Sequence, residues 1–165
     1  MADVTDTDYA ASALIGKGAQ WLIGDGASPE VFEAVYGVRS ITPGRTTTNI
    51  IDKTHLRSPN NHTEKMGGRR DSEPFTVEMI YNPAHESHTN AGGGAGVFAA
   101  GGIFAMHIAG TELNHIFRLD NGSPATELPL RAIISDLQIG PIGDQDLMTL
   151  TATLTPLQDY LSDLP

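Results

Sequence analysis

The sequence predicts a mainly β domain: an antiparallel β-sandwich or barrel with at most one short flanking helix. Three observations carry this prediction. Apolar residues recur at every second position over several separate runs, the period of half-buried strands. Turn sequences fall between those runs. Glycine (18) and proline (10) are abundant in 165 residues, which favours turns over long helices.

The elements follow in chain order. "QWLIGD" and "VFEAVYGVRSIT" read as two strands, the second kinked at Gly37. Between them "GDGASP" is a turn, or alternatively a short helix start with Ser28 as N-cap and Pro29 at the first helical position. "PFTVEMIYN" sets Phe75, Val77, Met79 and Tyr81 on one face and Thr76 and Glu78 on the other. Residues 84–110 are the least regular: "AHESHTNA" can make two helical turns, and the glycine-rich middle suits neither helix nor strand. "ELNHIFRLD" alternates Leu113, His115, Phe117 and Leu119 with polar and smaller neighbours, and Asn121-Gly122 supplies a hairpin turn. "ELPLRAIISDLQI" keeps Leu128, Leu130, Ala132 and Ile134 in phase and then shifts near Asp136, the mark of a bulge. After the turn "GPIGDQD", "DLMTLTATLTP" opposes Met148, Leu150, Ala152 and Leu154 to Thr149, Thr151, Thr153 and Thr155. Threonine suits strands in any case, so this second face fits both a solvated sheet surface and a functional one. These runs amount to six or seven strands of one domain.

One segment breaks the pattern. Residues 45–73 form a polar excursion of 29 residues, longer than connections usually are unless functional or disordered. Residues 39–70 carry seven of the ten basic residues, Arg39, Arg45, Lys53, Arg57, Lys65, Arg69 and Arg70, against Asp52 and Glu64. The segment is therefore +5, while residues 1–38 carry −5 and residues 71–165 carry −10. Such a segment fits solvated surface, a nucleic-acid-binding arm, or a device that docks on an acidic face of another copy. The negative balance elsewhere argues against wrapping duplex DNA, which needs a basic footprint.

Other classes find little support. There is no cysteine, hence no disulfide framework or thiolate metal site, and an intracellular assembly compartment is expected. "MADVTDTDYA" lacks the basic and apolar regions of a signal peptide, and the glycines and His107 of residues 93–110 argue against a membrane span. His85, Glu86 and His88 have a three-residue step between histidines where HExxH needs four. "AGGGAG" lacks the Lys-Ser/Thr of a phosphate loop, "GDQD" lacks the ligand spacing of a calcium loop, and "NHT" at 61–63 is a glycosylation sequon only in form. No G-x-S-x-G elbow appears. No catalytic residue, metal or cofactor is expected.

In their order, "LIGDGASPEVFEAVYGVRSIT", "NIIDKTHLRS", "MGGRRDSEPFTVEMIYNP" and "IGPIGDQDLMTLTATLTP" resemble the major tail tube proteins of long-tailed, siphovirus-like bacteriophages. The likeness runs from about Gln20 to Pro156. Its last piece looks like the family's closing hairpin, a Gly-Asp turn leading into a threonine-rich strand that ends in Thr-Pro. The departure lies at residues 89–110, where glycine runs dilute the helix that family members carry.

The resemblance implies a single tail-tube domain over 1–165, with an N-terminal arm (1–18), a long inter-ring loop (43–73) and a C-terminal tail (157–165). It implies a homohexameric ring whose copies join edge to edge into a continuous inner β-barrel, and head-to-tail stacking of rings into a hollow tube. The tube would conduct viral DNA into the host cell. Expected partners are the tail tip or initiator protein, the tail terminator and, during assembly, the tape measure protein; the expected location is the virion, assembled in host cytoplasm. The inter-ring loop would act through Arg45, Ile50, Ile51, Lys53, Leu56, Arg57, Lys65, Met66, Arg69 and Arg70. The strand faces not needed for the core, Thr76, Glu78, Thr149, Thr151, Thr153 and Thr155, would line the channel.

The residues support the loop's role by themselves. Out and back, the excursion reaches roughly 45 Å if extended, and the +5 of residues 39–70 complements the −15 elsewhere. It holds too few apolar groups to offset its own ordering entropy, so it is expected to be mobile in a free subunit and ordered by a neighbour. An inner tube of a contractile injection or secretion apparatus shares these features. A nucleic-acid-binding β-barrel would need stacking aromatics, and residues 42–74 contain no Phe, Tyr or Trp before Phe75.

Overall fold

A computed structural model describes residues 18–55, 63–89, 96–119, 126–143 and 147–158. These hold nine strands in two antiparallel sheets. β1 is Gln20–Gly24, β2 Phe32–Ala34, β3 Val38–Thr42, β4 Thr46–Asp52, β5 Lys65–Ser72, β6 Phe75–Ile80, β7 Glu112–Leu119, β8 Thr126–Ile139 and β9 Thr149–Pro156. The larger sheet runs β2-β1-β7-β8-β9-β6-β3, and β4 and β5 pair separately.

The large sheet folds over on itself, and β8 is where it turns. Its first half, up to Ile133, pairs with β7, and its second half pairs with β9. Between them the register slips at Ser135, as the phase change in the sequence predicts. Pro129 sits in the first half, where β7 is the strand partner and β9 has not yet begun. The result is two layers, β2-β1-β7 with the start of β8 and β3-β6-β9 with its end. Phe75 of β6 stacks on Phe117 of β7 across the core, ring centres 5.4 Å apart. Trp21, Ile23, Val77, Met79, Leu130, Ala132, Ile134, Leu150, Ala152 and Leu154 fill the space between. The predicted inward faces are the buried ones on β6, β7, β8 and β9.

The expected strand through "VFEAVYGVRSIT" is instead two. Gly37 takes φ 75°, and the chain leaves β2 at one end of the sheet order and enters β3 at the other. Three residues bridge that step, so the two ends of the sheet approach within about 14 Å. They do not pair; a groove of about 410 Å³ lies between β3 and Gly18, Ala19 and Leu119. Residues 25–31 form a loop and not a helix start: Asp25 Oδ1 accepts from the N–H groups of Ala27 (3.0 Å) and Val31 (3.1 Å). These bonds hold its carboxyl below the usual range.

Among the described residues two short helices lie in this region, where at most one was expected. α1 is Glu86–Thr89, and α2 is Gly102–Ala109, with a 3-10 turn at Gly96–Phe98 between. The glycines that dilute the helix signal stand at its ends. Gly101 is the N-cap, and Gly110 closes α2 in the left-handed conformation with its N–H on Met106 and His107 carbonyls. A Cβ on Gly102 would lie 2.6 Å from the His88 backbone, so glycine is what lets α2 approach α1. Ile103 and Met106 bury against the sheet, and His107 Nδ1 bonds the Ile134 carbonyl at 2.8 Å.

Two buried histidines tie this core to solution pH. His115 accepts from Trp21 Nε1 at 3.2 Å through Nδ1 and bonds the Ala132 carbonyl at 3.3 Å through Nε2. Burial lowers its pKa to about 4, against the pull of the Ala132 bond. His88, which accepts from the Asn82 N–H, is lowered by burial as well. With a folded pKa below the unfolded value near 6.5, the neutral ring stabilises fully above about 6.5, and that stability is lost as pH falls toward 4. For His115 the loss is on the order of 3 kcal/mol. Stability measured by denaturant should therefore fall between pH 6.5 and 4, and His115→Gln should flatten that fall. An unchanged slope in the variant would show that His115 does not titrate with unfolding.

Face assignment has its own test. Leu154→Ala removes a buried side chain and should cost about 2–5 kcal/mol, whereas Thr151→Ala on the opposite face should stay near 0.5 kcal/mol in the isolated subunit. Equal costs in urea unfolding would contradict the two-faced strand.

Candidate functional site

Away from the core, β3, β6, β9 and the second half of β8 present one continuous polar face. Strand register builds it. Thr42 pairs with Thr76, Thr76 with Thr153, and Thr153 with Asp136. The next row runs Ser40, Glu78, Thr151, Gln138. Thr149 lies beside Ile80, and Thr155 donates to the Ser135 hydroxyl at 2.9 Å. All six side chains expected on this face are there.

The sequence reading missed four of the others, Ser40, Thr42, Asp136 and Gln138. The first two belong to a short strand whose pairing partner is not legible locally. The last two are turned outward only by the bulge. Arg39, which precedes the excursion, reaches onto this face and pairs with Glu78 at 3.4 Å. Glu78 is thus opposed, and Asp136 supplies negative charge on the face instead.

Both margins of the four strands are open. β3 ends the sheet order, and Asp136–Ile139 of β8 have β9 as strand partner on one side and none on the other among the described residues. The four alternate in direction, so β3 runs opposite to β8.

The excursion is strand-paired over much of its length. It folds into the β4–β5 hairpin, Thr46 paired with Ser72 at the base and Asp52 with Lys65 further out. Local chemistry explains why. Thr46, Thr47, Thr48, Ile50 and Ile51 are β-branched strand formers. Gly44 lets the chain cross at the base, where a Cβ would lie 1.8 Å from the Glu73 carbonyl oxygen. Arg45 pairs there with Glu73 at 2.9 Å, and Lys53 with Glu64 at 3.8 Å near the outer end. Asp52 accepts from Thr54, whose side chain and N–H hold its carboxyl below the usual range.

The hairpin spans roughly 23 Å at strand rise, and most of its residues are exposed on both faces. It brings together Arg45, Ile50, Ile51, Lys53, Lys65, Met66, Arg69 and Arg70, with Ile51 directly opposite Met66. Leu56 and Arg57 lie outside the described residues. A lone two-stranded hairpin is marginal in water, and this one leaves Ile50, Ile51 and Met66 exposed.

His85, Ser87 and His88 form no metal site. Ser87 and His88 are buried, and the His85 ring stacks on Tyr36 with centres 4.4 Å apart. Among the described residues no group of three His, Asp or Glu side chains could hold a metal ion, and no helix is long and apolar enough to cross a membrane.

No family model matches the chain, and no curated protein matches its sequence. Solved structures match its fold over most of its length. A chain in the tail of an empty GTA particle, refined with helical C6 symmetry, is 13% identical with a TM-score of 0.55, covering 89% of this chain and 96% of that one. The SPP1 tail tube gives 10% identity and a TM-score of 0.56, covering 92% and 84%. A chain of the PVC extracellular contractile injection system, in the extended sheath–tube complex, gives 15% identity and a TM-score of 0.60, covering 94% and 96%. The chain has the fold found in these tail and injection-tube assemblies.

Proposed function

We propose that this protein is a structural tail tube subunit: six copies close into a ring, and rings stack into a hollow tube that conducts viral DNA. The observation that carries the reading is the polar four-strand face with an open strand edge on each side. Open edges invite pairing with another chain, and closing them in a ring removes the hazard. Because the four strands alternate, β3 of one copy meets β8 of the next in antiparallel sense about an axis parallel to the strands. An even number of strands per copy keeps that alternation around any closed ring. The fold likeness to a C6 tail supports six.

In such a ring the polar face lines the channel, with Thr76, Glu78, Thr149, Thr151, Thr153 and Thr155 joined by Ser40, Thr42, Asp136 and Gln138. Hydroxyls and a small negative excess, with Glu78 balanced by Arg39, give phosphates nothing to bind. The repulsion acts over about 8 Å at physiological salt. The β4–β5 arm then serves the inter-ring role. Exposed ion pairs contribute about 0–1 kcal/mol each, so its isoleucines and Met66 supply the firmer part of the contact. Tail tip, terminator and tape measure proteins would be its partners, and the virion its place. The match to a contractile injection system is equally good in fold and supports the second reading, an inner tube within a sheath; co-assembly with a sheath protein would favour it.

Purified protein should form six-fold rings and, at high concentration or with an initiator, tubes visible by negative-stain microscopy. A compact monomer under every salt and concentration condition would refute the proposal. Changing Lys65, Arg69 and Arg70 together to Glu should leave circular dichroism unchanged and abolish tubes. Normal tube growth of that variant at low salt would make the basic cluster ordinary solvated surface.

A further inference from the structure

We infer that the arm of one copy docks on the exposed apolar side chains Ile139, Ile142 and Leu147, where β8 ends and β9 begins, of a copy in the next ring. This rests on the tube reading above and adds the surface that receives the arm. The two features stand at opposite ends of the same strands. The arm leaves where Thr42, Phe75 and Leu154 lie side by side; the turn lies past Ile80, Thr149 and Ile139, held by the Gly140 N–H on the Thr149 carbonyl and the Tyr81 N–H on the Met148 carbonyl. Head-to-tail stacking along the strand axis therefore brings an arm toward a turn.

Their surfaces match. Ile139, Ile142 and Leu147 are 41%, 75% and 56% exposed, a concentration of large apolar side chains at a strand end that the subunit's own core leaves uncovered. Facing them would be Ile51 and Met66, cross-strand partners on one face of the arm, which are 45% and 49% exposed. The reach is adequate, since the arm's seven-residue strand spans about 23 Å, comparable to the six-residue β6 it emerges beside. A complementary pair of sites at opposite ends of one subunit is heterologous and open-ended, which makes a filament.

The absence of native cysteine allows a direct test. A variant carrying both Met66→Cys and Ile142→Cys, polymerised and mildly oxidised, should give a ladder of covalent multimers on a non-reducing gel. Tubes that stay monomeric on that gel would overturn the inference, because they form with arm and turn apart. Separately, Ile142→Glu with Leu147→Glu should keep rings and lose tubes; tubes in normal yield would overturn it as well. Wild-type protein that makes no rings would refute the tube reading, and this inference with it.

Discussion

One extra residue, Ser135, sets the architecture. β8 is 14 residues long and has to serve two partners whose inward faces are out of phase. Up to Ile134 its even-numbered apolar side chains point into the core. Without a slip, Asp136 and Gln138 would follow them inward, and an unpaired buried carboxylate is among the most costly things a core can hold. The bulge turns both outward and sends Leu137 in. Its hydroxyl is stitched into the strand beside it, donating to the Thr153 carbonyl at 3.2 Å and accepting from Thr155. The bend lets Phe117 and Phe75 face each other, and frees the far half of β8 from β7. Core, polar face and open edge all depend on that step.

The open edges are the second constraint. Seven strands turn back on themselves but do not pair their ends, and the two layers share only β8. Among the described residues no strand pairs with the outer side of β3 or of distal β8. Many proteins blunt such edges with charge or proline. Here Arg39 is drawn onto the polar face by Glu78, and Asp136–Ile139 contains no proline. The edges are left receptive, as the proposed ring requires.

Much of this was legible in sequence because period-two alternation is a local property. β6, β7, β8 and β9 each displayed their inner face in consecutive residues, and even the bulge showed as a phase change at Asp136. What escaped was non-local. "VFEAVYGVRSIT" reads as one kinked strand, since nothing within it says that Phe32–Ala34 and Val38–Thr42 belong to opposite ends of a sheet. The arm is not legible as paired strands because its polarity masks its β-branched content, and pairing depends on Gly67 lying opposite Ile50, 17 positions earlier. α2 was obscured by glycines that act at its ends and at its contact with α1. The six threonine and acidic positions of the polar face were legible as a pattern, but Ser40, Thr42, Asp136 and Gln138 join them only through cross-strand register.

In the proposed tube, the division of labour between surfaces follows from how weak each contact is. A channel must not hold what passes through it, and a face of hydroxyls with paired Arg39 and Glu78 gives a phosphate no lasting site. The ends must hold, yet one arm offers only a few apolar side chains and solvent-exposed charges, each worth little alone. Ring closure resolves this. Once copies are joined edge to edge, every arm of a ring engages together, and linked weak contacts act with the effective concentration of a tethered site. The same joining sets their order: a free subunit presents a single arm and binds feebly, whereas a finished ring presents a full set. Rings should therefore precede stacking, and tube growth is gated by the open edges of β3 and β8 before the arm can contribute.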